Sequence, residues 1–68
     1  MSEARYFETA ETFRHWLQDH PDERELWVEF RKGEGMEYIE SVYEALCFGW
    51  IDGQVKNVDG TLRRRFAT

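Results

Sequence analysis

A chain of 68 residues with a net charge of −5 can form at most one small domain. One cysteine excludes an internal disulfide, and two histidines far from it in sequence make a poor metal set, so packing alone must hold the fold. A composition 41% hydrophobic and 16% aromatic allows that, although a domain this short buries only about 60% of its unfolded surface.

No basic segment leads into an apolar run near Met1, and no window approaches the roughly 18 apolar residues of a membrane span. Together with the free thiol, this predicts a cytoplasmic protein without membrane contact. Residues 1–48 carry 5 basic and 12 acidic side chains, whereas residues 49–68 carry 4 and 2. Affinity for phosphate backbones comes from Lys and Arg, so an acidic majority speaks against nucleic acid as a partner.

In chain order, Thr9 is placed to cap a first helix by accepting a first-turn N–H. Ala10, Phe13, Trp16 and Leu17 share one face of that helix, and Pro21 ends it. The alternation in "ELWVEFRK" sets Leu26, Val28 and Phe30 against Trp27, Glu29 and Arg31, which predicts a half-buried strand. "KGEGME" is a loop. From about Tyr38 the period returns to that of a helix. Tyr38, Val42, Ala45, Leu46 and Gly49 are expected toward the core, with Glu40 and Glu44 toward solvent. Gly49 suits the left-handed helix end. Asp59-Gly60 between extended segments is a strong hairpin signal, opposing Val58 to Thr61, Lys56 to Arg63 and Gln54 to Arg65. Arg63 and Arg65 then share a face, and Arg64 lies on the other with Val55 opposite. The predicted fold is α+β over 1–68. It has the order α-β-α-β-β and a three-stranded, mostly antiparallel sheet with two helices packed on it.

The stretch "EALCFGWIDGQ", Glu44 to Gln54, concentrates the residues with chemical potential. Cys47 falls in the last turn of a helix, where the negative end of the dipole disfavours a thiolate, so a buried structural cysteine is expected. Asp52 either pairs with a basic neighbour or, beside Trp50, holds a ligand. Gly53 inside a strand marks a bulge or a close backbone approach. The aromatic residues are expected mostly in the core, since a nucleic-acid stacking platform would need positive surroundings.

The ordered strings "FETAETFRHWLQDH", "ELWVEFRKG", "YIESVYEALCFGWIDGQ" and "RRFAT" resemble the N-terminal part of YdeI/OmpD-associated, bacteriocin-protection-like bacterial proteins. The resemblance covers essentially the whole chain. It implies an N-terminal α+β subdomain whose C-terminal region is absent, and it supplies no catalytic residues.

These readings predict a non-enzymatic binding or interaction module of a stress- or bacteriocin-protection-like protein. Its contact surface would be Trp50, Asp52 and Gly53 with the outward Arg63 and Arg65, for a protein or small-molecule partner. No cofactor or metal is expected. A sheet ending at "RRRFAT" leaves an edge and apolar surface open, which predicts self-association. Two rival readings remain. One is an enzyme subdomain with Asp52 as acid or base beside Glu44 or Tyr43. The other is weak phosphate or nucleic-acid binding through Arg63 to Arg65.

Overall fold

The computed structural model describes residues 4–68. The first helix, α1 (Ala10–Asp19), begins where Thr9 accepts a hydrogen bond from the Thr12 N–H at 3.1 Å, and the Thr12 hydroxyl bonds back to the Thr9 carbonyl. The strand read from "ELWVEF" is β2 (Glu25–Phe30) and the second helix is α2 (Tyr38–Cys47). That helix stops in a Schellman motif. The Trp50 N–H reaches the Ala45 carbonyl at 2.8 Å and the Gly49 N–H reaches Leu46 at 3.1 Å, with Gly49 at φ 79°. Strands β3 (Ile51–Val58) and β4 (Thr61–Ala67) follow. They are joined by Asp59-Gly60, both at positive φ as a type I′ turn requires.

The sheet has four strands rather than three, and it is mixed. A short β1 (Ala4–Tyr6) pairs in parallel with β2, and the strand order is β1-β2-β4-β3. Because β2 and β3 are each antiparallel to β4, they run the same way, and β4 is inserted between them. The last strand is therefore interior. The long exposed edge is β3, not "RRRFAT". Three residues are too few for an alternation to register, which is why β1 left no signal in the sequence.

Both helices cover the sheet face that carries Leu26, Val28 and Phe66. Phe13 and Leu17 descend from α1, and the core continues through Phe7, Met36, Ala45 and Trp50. Its aromatic contacts are tilted or edge-on, as ring quadrupoles favour: Phe7 to Phe13 at 5.0 Å, Phe13 to Phe66 at 5.6 Å, and Trp16 to Trp50 at 6.1 Å.

The expected core face of α2 needs correction. Ser41 and Ala45 are buried, while Tyr38, Leu46 and Cys47 are exposed and Val42 is half-buried. Small residues let the helix lie close to the sheet, and the Ser41 hydroxyl is satisfied by the Tyr38 carbonyl. Cys47 is consequently not a core residue. Glu44 is not a solvent residue either, since it folds back to Arg14 of α1 at 3.4 Å.

Phe66 is fully buried and meets Leu26 across the β2–β4 pair. Its replacement by Ala should cost about 3–5 kcal/mol, comparable with the whole stability of a domain this small. Phe66→Ala should thus lose its cooperative thermal transition by circular dichroism.

Candidate binding surface

The hairpin register places every residue of the proposed site except Trp50, which precedes β3. From the turn, Val58 opposes Thr61, Lys56 opposes Arg63 and Val55 opposes Arg64, as the sequence predicts. The pairing then slips between Val55 and Asp52, and Asp52 opposes Phe66. Gly53 and Gln54 together face the single Arg65, a β-bulge, so the expected Gln54–Arg65 pair is not made. Side chains alternate faces, so an extra residue moves everything beyond it to the opposite side. Without the bulge Asp52 would sit on the bare face of the sheet. With it, Asp52 turns to the helix side.

There its carboxylate is engaged twice by one oxygen. Tyr38 Oη donates at 2.8 Å and Arg64 Nη1 at 3.1 Å, and Arg64 also reaches the Gly53 carbonyl at 3.4 Å. The guanidinium lies 4.2 Å from the centre of the Tyr38 ring, a cation–π contact. The hydrogen bond to Asp52 holds the Tyr38 hydroxyl above the ordinary tyrosine range. Desolvation adds to this, and the Arg64 charge opposes it. Neither Glu44 nor Tyr43 takes part: Glu44 binds Arg14, and Tyr43 is exposed. Arg64 is the basic neighbour that one sequence reading of Asp52 expected, whereas Tyr38 as its second partner was not foreseen. The missing signal was the bulge, although Gly53 had hinted at one.

Beside this cluster lies a cleft of about 550 Å³ between the loop after β2 and the hairpin, floored by Phe30, Val55 and Leu62 and walled by Met36, Tyr38 and Arg64. Trp50 does not line it. At 3% exposure Trp50 belongs to the core and separates from the other candidate residues.

Arg63 and Arg65 lie on the opposite, uncovered face. Arg65 bonds Glu25 at 2.7 Å. Arg63 approaches Glu29 at 3.8 Å, but Arg31 already holds that carboxylate at 2.6 Å. Two guanidiniums thus share one acid. The Arg63 Nε is buried without a hydrogen-bond partner. Lys56 rests its ammonium 5.0 Å from the centre of the Trp27 ring. Glu25, Trp27, Lys56, Arg63 and Arg65 surround a depression of about 350 Å³. A chain that is negative overall therefore carries a surplus of positive charge on its bare sheet face. Among the described residues, no helix is long and apolar enough to cross a membrane.

The elements define a two-layer α+β domain with a basic, aromatic-bearing face left open. The chain belongs to a family described as a domain of unknown function, DUF8412, whose profile matches residues 5–68. No curated protein and no solved structure gave a significant match. The family description assigns no activity and offers no link to the YdeI/OmpD-associated proteins.

Two outcomes follow from the cluster. Asp52→Asn removes a charged acceptor with two donors and should cost about 1–2 kcal/mol in urea denaturation. Its effect and that of Arg64→Met should be clearly non-additive in a double-mutant cycle. The second outcome concerns pH. The folded value for Tyr38 lies above its unfolded value, so the stability it contributes is intact below the tyrosine range and is lost as pH rises through the folded value. Alkaline spectrophotometric titration should show a late-ionising tyrosine that Tyr38→Phe removes.

Proposed function

We propose that this chain is a binding module rather than a catalyst, and that it recognises an acidic protein segment on its uncovered sheet face. The observation that carries the reading is the grouping of Lys56, Arg63 and Arg65 around Trp27, on the one face the helices leave bare. Carboxylates of a partner would accept from the outer guanidinium nitrogens of Arg63, only loosely held by Glu29, and from Lys56, and Trp27 would supply apolar contact area. Arg63 and Arg65 thereby keep the role the sequence suggested. Gly53 acts behind them in the bulge that sets the register, and Asp52 in the cluster that the bulge turns to the helix side. Trp50 supports the junction from the core.

The resemblance to YdeI/OmpD-associated proteins remains part of this proposal. On that reading the module is bacterial and cytoplasmic and serves a stress- or bacteriocin-protection-like protein. A catalytic role for Asp52 is weakened by its engagement with Tyr38 and Arg64, which gives the carboxylate a structural task joining α2, β3 and β4. Phosphate or nucleic acid would also find cations on this face. With Glu25 and Glu29 among them, however, the surplus is small for a polyanion.

Fluorescence titration with poly-L-glutamate and with a single-stranded oligonucleotide tests the proposal. At low salt the chain should bind poly-L-glutamate with a change in tryptophan emission. The double variant Lys56→Glu/Arg63→Glu should weaken that by on the order of tenfold or more. Asp52→Asn, once shown to be folded, should bind as the parent does. Preference for the oligonucleotide, with a steep salt dependence, would replace this reading with the phosphate one.

A further inference from the structure

The helices cover only part of the sheet face on which they lie. Leu26, Val28 and Phe66 are buried beneath them, whereas the part nearer the Asp59-Gly60 turn is left open. There Val55 and Leu62, on neighbouring strands, remain 44% and 48% exposed. They do not lie on a flat surface. With Phe30 they floor the cleft of about 550 Å³, whose walls are the loop after β2 and the first turn of α2. A recess of this size falls within the roughly 300–1,000 Å³ of small-molecule sites.

The walls are held in place by the fold itself. The Met36 N–H donates to the Phe7 carbonyl at 3.1 Å, and the Arg31 guanidinium lies 3.9 Å from the centre of the Tyr6 ring. Gly35, at φ 82°, packs so close to that ring that a Cβ there would come within 2.7 Å of it. On the other wall, Tyr38 meets Phe30 edge-on at 6.1 Å and is tied to Asp52. A cleft already ordered in the free chain loses less affinity to conformational entropy.

Charge selects the occupant. Both cations of the lining are already matched, Arg64 by Asp52 at 3.1 Å and Arg31 by Glu29 at 2.6 Å. The lining also holds two acids. Glu34 is only loosely held, 3.7 Å from Arg31, and Glu37 has no ion pair among the described residues. The positive end of the α2 dipole is met as well, since Glu40 accepts from the Glu37 N–H at 3.0 Å. An apolar floor under a negative rim suits an organic cation and repels an acid of the same shape. We propose that the cleft binds a small amine, whose flat apolar body rests on Phe30, Val55 and Leu62 and whose ammonium faces Glu34 and Glu37. The site lies on the helix side of the sheet, so it is independent of the basic face proposed above and leaves it free.

Titration of the isotope-labelled chain with phenethylamine, followed through its amide chemical shifts, tests this. Hydrocinnamate serves as the acid of matching shape. The amine should shift Gly33, Gly35, Val55 and Leu62 saturably, and the acid should bind about tenfold more weakly or worse. Glu37→Gln should weaken the amine about threefold or more. Leu62→Lys, which sets a cation in the floor, should abolish its binding. The dispersion of the amide spectrum establishes that each variant is folded. Lys56→Gln, on the bare face, should leave the affinity unchanged. Absence of saturable shifts in the cleft overturns the proposal, as do shifts that fall instead on Trp27 and Lys56. Binding of the acid as tightly as the amine also overturns it and hands recognition to Arg64.

Discussion

The bulge at Gly53 and Gln54 is the constraint on which the arrangement of polar groups depends. By placing two residues opposite Arg65 it rotates Asp52 to the helix side, where Arg64 and Tyr38 meet it. The three side chains join α2, β3 and β4. Tyr38 lies in the first turn of α2, so its hydroxyl anchors the helix end farthest from the Schellman motif. The helix is therefore fixed at both ends, by backbone bonds at Ala45 and Leu46 and by a side-chain cluster at Tyr38.

That fixation shapes both surfaces. With α2 held over β3 by small residues, Ser41 and Ala45, its larger apolar side chains are left outside. With Asp52 removed from the bare face, the hairpin contributes only cations there, and the acids come from β2. One extra residue in a strand thus places Asp52 beside the cleft rather than on the basic face, in a domain with a radius of gyration of 10.9 Å.

Local chemistry made much of the fold legible. The Thr9 cap, the left-handed Gly49 and the Asp59-Gly60 turn each depend on one or two residues, and each stands where the sequence puts it. Alternation in β2 gave the correct core face, because Leu26, Val28 and Phe30 are apolar throughout, whereas the other face mixes Trp27 with charged Glu29 and Arg31. The misreadings share a cause, which is that tertiary fit overrode a local pattern. Periodicity favours large apolar residues as the core of a helix, yet α2 packs on its small side, so Cys47 and Leu46 came out exposed. Strand β1 exists only through its pairing with β2. The Asp52 cluster was hidden because a bulge cannot be counted from the turn, and the partners of Asp52 follow only from the shifted register. Arg63 and Arg65 were legible as a pair, since no bulge lies on their own strand.

The same hairpin has a kinetic consequence. Its turn is local and closes quickly, so β3 and β4 zip outward from Asp59-Gly60 before β2, more than thirty residues away along the chain from its β4 partners, can dock. Zipping in simple register continues past Val55 and leaves Asp52 on the wrong face with Arg64 unpaired. Only a strand that has absorbed the extra residue presents a carboxylate to the arriving α2. The shifted register alone brings Asp52 to Arg64 and Tyr38, so the ion pair favours the bulged hairpin over the simple one once α2 is in place.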